Sequence, residues 1–177
     1  MSEFQQEGLI TTIHGFYDLV DREEYLRKLE ERLTEFSKHL QIGLLLPCLY
    51  SEIHVPKVLD RIIEEINQVN YLDSIVVALG GAVKRGQFEE AREFFYKLRK
   101  HGRDVKIIWV EGPKVQKILK RIQAQKIEVG KPGKGQSVWI GMGYFFAKEL
   151  CDVVALHDCD IVTYDRLLLG RLLEPTA

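Results

Sequence analysis

No apolar run in this sequence approaches the roughly 20 residues that a membrane-spanning helix requires. There is no excess of charge either: 25 Lys and Arg against 26 Asp and Glu leave a formal net charge of −1. Bulk electrostatics therefore favour neither nucleic acid nor an anionic membrane surface. Cysteine is scarce, and Cys48, Cys151 and Cys159 are odd in number with no CxxC spacing. That argues against a disulfide framework and a structural zinc site, and for reduced thiols in a cytoplasmic protein. The opening MSEFQQEG is acidic and polar, unlike a secretory signal. Internal repeats and low-complexity tracts are absent as well. What is present is 177 residues, 46% hydrophobic and 29% charged, the size and balance of one soluble domain with one core.

The patterning predicts an extended arm over residues 1–20, then an amphipathic helix from Arg22 to Leu40. Leu26, Leu29, Leu33, Phe36 and Leu40 step by three and four along it. The plain reading is a helix packed on its own domain; the alternative is a short seam pairing with a second copy, a homo-oligomer. We accordingly divide the chain into 1–40, arm and helix, and 41–177, the main domain. In the latter, apolar runs alternate with helical spacing. Strands are expected at Ile42–Leu46, ending at Pro47, at Ile75–Leu79, ending at Gly80-Gly81, at Val105–Val110 and at Val153–Leu156. Helical faces lie between them at 55–69, 88–98 and 115–122, then from about Gln136 to Leu150, with a last helix from about Tyr164 to Leu173. Apolar strands separated by helices are the pattern of an α/β fold, a Rossmann-like three-layer sandwich around a mainly parallel sheet. Such sheets bind ligands at the carboxyl ends of their strands.

Two motifs carry chemistry. Gly133-Lys134-Gly135 sets a lysine between glycines just before a helix, and Asp158-Cys159-Asp160 sets two carboxylates just after a strand. A helix from Gln136 to Leu150 descends about 22 Å at ~1.5 Å per residue. A strand from Asp152 to His157 climbs back about 20 Å at ~3.3 Å per residue. Lys134 should therefore return to the edge that holds Asp158 and Asp160, together with Pro47 and Gly80-Gly81. Alternation lets the two carboxylates point one way and Cys159 the other. Oxygen ligands of this kind suit Mg²⁺ or Mn²⁺, and lysine beside a helix start suits a diphosphate.

Taken singly, each motif has a plainer reading. Asp-x-Asp at a strand end is common, and a lysine in a glycine loop is more often a solvated turn residue. The run Gly130–Ser137 looks like a P-loop but fails the count, because five residues after Gly130 comes Gly135 and then Gln136 in place of lysine. Zinc at His157 and Cys159 lacks a second Cys/His pair in the sequence. His14, His39, His54 and His101 form no constellation, and no general acid or base is singled out.

Three segments, Leu46-Pro47-Cys48-Leu49-Tyr50-Ser51-Glu52, Lys131–Trp139 and Cys151–Ile161, resemble the nucleotide-sugar half of glucosyl-3-phosphoglycerate synthases, glycosyltransferases of the GT-A fold. The likeness runs from Ile10–His14 to Leu173. It implies that Pro47, Leu49 and Glu52 cradle the uridine of a UDP-sugar donor, and that Lys134 reaches the diphosphate. It also implies that Asp158-Cys159-Asp160 is the Asp-x-Asp motif, with Asp158 and Cys159 among the donor contacts, Asp158 and Asp160 holding Mg²⁺ or Mn²⁺, and Asp160 the firmer ligand. The implied reaction is transfer of glucose from UDP-glucose to a phosphorylated acceptor, 3-phosphoglycerate, with retention. Many relatives place aspartate and serine after the second strand; here Gly80-Gly81-Ala82 would act through backbone groups. The family continues well past the Asp-x-Asp motif, whereas this sequence ends seventeen residues after Asp160. The expectation is thus a donor-binding half without its acceptor-binding part. A nucleotide-binding or regulatory module without turnover is the alternative. A nucleotidyltransferase is disfavoured, since the first strand runs into Pro47-Cys48-Leu49-Tyr50 and not a glycine-rich turn.

Overall fold

A computed structural model describes residues 21–176 of the chain. The arm expected over residues 1–20, with Ile10–His14, lies outside them. Helix α1 (Arg22–Phe36) begins where Asp21 accepts hydrogen bonds from the amides of Glu23 and Glu24. Strand β1 (Ile42–Leu49) follows, then a 3₁₀ turn (Tyr50–His54) and helix α2 (Pro56–Ile66). After them come β2 (Ser74–Gly80), α3 (Arg85–Phe95), β3 (Asp104–Trp109), α4 (Pro113–Ala124), α5 (Lys134–Lys148), β4 (Val153–Leu156) and α6 (Arg166–Leu173). The strands form one sheet in the order β3-β2-β1-β4, and every pairing is parallel.

Period-two alternation sends successive side chains of the central strands to opposite faces. Leu44, Leu46, Ile75 and Val77 join a core built with α1, α2, α3 and α6, while Leu45, Val76, Ala78 and Ile108 pack against Phe145 of α5 and Val115 of α4. The result is the expected three-layer α/β sandwich. The two edge strands, β3 and β4, show interrupted burial patterns. Helix α1 belongs to the first of these cores. Leu29 and Leu33 are buried against Gly170 of α6, and Arg22 pairs with Asp165, Glu30 with Arg166 and Arg32 with Glu174.

Several boundaries differ from the sequence expectation, α1 ending at Phe36 in place of Leu40 and α6 starting at Arg166 in place of Tyr164, and two further shifts have a clear physical reason. Strand β1 does not end at Pro47 but runs through it to Leu49. The His157 amide donates to the Leu45 carbonyl, so odd-numbered residues of β1 turn their backbone groups toward β4. The last β4 pairing is Leu45↔Leu156, so the nitrogen of Pro47 points past the end of that ladder and no strand hydrogen bond is lost. Helix α5 starts at Lys134 itself, two residues earlier than expected, because Gly133 supplies the turn with a φ of 152°.

The two glycines inside α5 also differ. A Cβ on Gly141 would lie 2.4 Å from Cδ1 of the fully buried Leu45, so glycine there lets the helix approach the sheet. A Cβ on Gly143 would meet nothing within 4 Å. Gly143→Ala should therefore stabilise the fold by about 0.5–1 kcal/mol through helix propensity. Gly141→Ala gains the same propensity but must displace Leu45, and should be less stable than Gly143→Ala by about 1–3 kcal/mol in urea unfolding. Equal stabilities would contradict this packing.

Candidate functional site

The order β3-β2-β1-β4 means that the chain winds outward from β1 to β3 and then crosses back to the other side of β1. The crevice of such a sheet opens between the carboxyl ends of β1 and β4. Pro47, Cys48 and Leu49 end β1 on one side of it, and Asp158, Cys159 and Asp160 follow β4 on the other. Pro47 is buried, whereas the side chain of Leu49 is 47% exposed at the lip. The turn after β1 is held by Glu52, whose Oε2 accepts from the Leu49 amide at 2.8 Å. Tyr50 ties the same turn to α3 by donating its hydroxyl to Glu90 at 2.6 Å.

The start of α5 forms the third wall. Gln136, buried, donates to the carbonyls of Val129 and Gly130 at 3.1 and 3.2 Å, which pins the glycine-rich loop to the helix. The helix has Gly133 at its cap and no capping side chain, so its first-turn N–H groups carry no side-chain acceptor. Ser137 sits over the end of β2, where a Cβ on Gly80 would come within 3.3 Å of its Oγ.

Lys134 Nζ forms an ion pair with Asp158 Oδ2 across the crevice. The bond to Asp158 raises the ammonium above its ordinary pKa, and the charges of Asp160 and Glu52 add to the effect. One ammonium and three carboxylates thus converge from α5, the loop after β4 and the turn after β1. Asp158 is partly exposed and Asp160 exposed, while Cys159 between them is 2% exposed. The side chain of Cys159, expected among the donor contacts, therefore does not face the crevice; it is turned into the core beside Cys48. His157 is buried too, its Nδ1 3.1 Å from the Tyr164 hydroxyl. Burial pushes its pKa down to about 4, so it is neutral at physiological pH.

Two features escape the sequence reading. Glu111, just after β3, accepts from the Gly81 amide at 2.8 Å through Oε1, and its buried Oε2 has no hydrogen-bond partner. Of the backbone donors expected at Gly80 and Gly81, the Gly81 N–H is consequently taken. The available signal was position, since Glu111 directly follows the third apolar run at the same sheet edge. The second is the meeting of Cys48, Glu52 and Cys159, whose ligand atoms all lie within 4.8 Å of one another. A hydrogen bond to Cys159, then burial, push the Cys48 thiol pKa strongly up. No local spacing could announce that group, because Cys48 and Cys159 come from opposite sides of the crevice. Of the histidines, His39, His54 and His101 are exposed.

No protein-family profile matches the chain. A curated glucosyl-3-phosphoglycerate synthase of Persephonella marina is 38% identical over 175 residues, covering 99% of this chain and 41% of that protein. A second, of Methanococcoides burtonii, is 32% identical over 98% of this chain and 40% of that protein. A crystal structure of glucosyl-3-phosphoglycerate synthase from Mycobacterium tuberculosis with Mn²⁺, UDP and glucosyl-3-phosphoglycerate aligns with a TM-score of 0.47. The alignment is 21% identical and covers 83% of this chain and 43% of that one. Along nearly its whole length, then, this chain resembles the N-terminal part of glucosyl-3-phosphoglycerate synthases, and it spans about two fifths of the length of the curated relatives it matches.

Proposed function

We propose that this chain is the donor-binding part of a metal-dependent glycosyltransferase of the GT-A type, gripping UDP-glucose at the crevice between β1 and β4. In the complete protein the glucose passes to 3-phosphoglycerate. The observation that carries the reading is the ion pair of Lys134 with Asp158, which joins a phosphate-binding charge to a metal-binding loop at the switch point of the sheet. The sequence likeness to glucosyl-3-phosphoglycerate synthases supports the same substrate pair.

The residues fit a divalent cation of the oxygen-preferring kind. Asp158 and Asp160 offer carboxylate oxygens at an accessible edge, and neither is locked into the core. A bound Mg²⁺ or Mn²⁺ would supply Lewis-acid stabilisation of the departing diphosphate. The chain's own groups do the rest of the binding. Lys134, always charged at neutral pH, exchanges Asp158 for diphosphate oxygens. The uncapped first turn of α5 adds N–H donors and the positive end of its dipole. Pro47, Leu49 and Glu52 shape the wall for the uridine, with Glu52 fixing the Leu49 backbone, and Gly80 leaves room beside Ser137. Among the described residues no helix is long and apolar enough to cross a membrane.

Calorimetric titration of UDP, UDP-glucose and GDP-mannose, with and without Mn²⁺, tests the reading. We expect UDP and UDP-glucose to bind in preference to GDP-mannose, and Mn²⁺ to tighten them. Asp160→Ala should abolish the Mn²⁺ dependence. Binding of no nucleotide under any condition would overturn the proposal. Lys134→Gln should weaken UDP roughly tenfold to a hundredfold, the worth of one charge-assisted contact, with little effect on uridine alone. An equal loss for UDP and uridine would remove Lys134 from the diphosphate site. UDP release on addition of 3-phosphoglycerate would establish transfer by this chain; nucleotide binding without release would mark it as a binding module.

A further inference from the structure

Cys48, Glu52 and Cys159 form a second cluster of metal-ligating side chains, separate from Asp158 and Asp160. Cys48 is an even-numbered residue of β1 and so shares the face of Leu44 and Leu46, inside the first core. Cys159 reaches the same place from the loop after β4, and the two thiols are 3% and 2% exposed. Glu52 arrives from the 3₁₀ turn and is half-buried, which leaves one side of the cluster open to the surface. One of its oxygens holds the Leu49 amide at 2.8 Å, and a carboxylate has further lone pairs to give.

We propose that these three side chains form a site for a thiophilic divalent cation, of which Zn²⁺ is the natural occupant. Donor atoms around a tetrahedral zinc lie about 3.4–3.8 Å apart, given Zn–S near 2.3 Å and Zn–O near 2.1 Å. The three ligand atoms already lie within 4.8 Å of one another, so each needs to move inward by less than about 1 Å, a small side-chain adjustment. Two sulfurs and one oxygen select a soft or borderline ion over Mg²⁺ or Mn²⁺, which take oxygen ligands. Binding converts both thiols to thiolates, releasing two protons, and leaves the fourth position for water on the Glu52 side. The loop after β4 thus has two faces of opposite chemistry: carboxylates outward for a hard cation, a thiol inward for a soft one. An ion held by Cys48 and Cys159 also clamps the end of β1 to that loop, across the mouth of the crevice. This inference does not rest on the nucleotide-sugar reading, because it needs only the three side chains.

Co²⁺ is the probe, titrated anaerobically into the reduced full-length chain. We expect about one Co²⁺ per chain, with thiolate-to-cobalt charge-transfer absorption that equimolar Zn²⁺ displaces. Cys48→Ser and Cys159→Ser should each roughly halve that absorption, and the double variant should abolish it. Cys151→Ser and Asp160→Ala should leave it intact. Glu52→Gln, on a half-exposed turn and so less of a risk to folding, should keep the absorption but weaken Co²⁺ affinity at least tenfold. Absence of charge-transfer absorption in the unaltered chain would overturn the proposal, whatever the variants do. So would absorption that survives in the Cys48→Ser, Cys159→Ser double variant or disappears in Cys151→Ser. Failure of UDP binding in the calorimetric titration would leave this result untouched, so the two proposals fail independently.

Discussion

The central strand β1 has a parallel neighbour on each side, and the chain reaches those neighbours by winding in opposite senses. The segment that leaves β1 therefore runs to α2 on one face of the sheet, while β4 is entered from α5 on the other, and the carboxyl ends of the two strands open on a gap between those layers. This is a constraint of connectivity, and it dictates where the residues of interest collect. Strand β1 contributes Pro47 to Leu49 and the turn through Glu52, and β4 contributes the loop through Asp160. The N-terminus of α5 enters the same gap because it precedes β4 by one helix length. The hydrophobic core supports this arrangement from both faces. Leu45 and Phe145 fix α5 on one side, and Leu44, Leu46 and Ala155 fix the helices on the other.

Much of this was legible in the residue pattern. The α/β class followed from apolar runs separated by helical spacing, and matched lengths of helix and strand brought Lys134 back to the Asp158 edge. The structure pairs those two side chains directly. Arithmetic of this kind works because rise per residue is nearly constant within each element type. It fails where an outcome depends on which side of a strand a group faces. Pro47 looked like a stop because proline lacks an N–H, yet the cost of that lack depends on the neighbour opposite it, which only the register supplies. Glu111 was overlooked for a related reason. A carboxylate after a strand is unremarkable in sequence, and its interest lies in the Gly81 amide it bonds from the next strand.

The cysteines show the same limit from another side. Counting and spacing show no local thiol pair and point away from a zinc site. A parallel sheet, however, brings together the ends of strands that are far apart in sequence, so a cluster can assemble with no signature at all. Cys159 also shows that one short loop can serve two environments, since its neighbours are exposed or partly exposed while it is buried.

The ion pair of Lys134 with Asp158 has a consequence for the order of events at the crevice. With the Lys134 ammonium already paired with Asp158, the carboxylates of Asp160 and Glu52 leave an excess of negative charge around it among the described residues. A bare nucleoside diphosphate approaching it meets a field of its own sign, and the ammonium that would welcome it is engaged. On the proposed reading, a bound divalent cation would cancel that excess and compete for Asp158, freeing Lys134. If the proposed site holds both, each guest prepares the place of the other, and by thermodynamic reciprocity the metal tightens the nucleotide by the same factor that the nucleotide tightens the metal. On that reading the resting pair would act as a latch, closed to lone phosphate compounds and opened by the two components together.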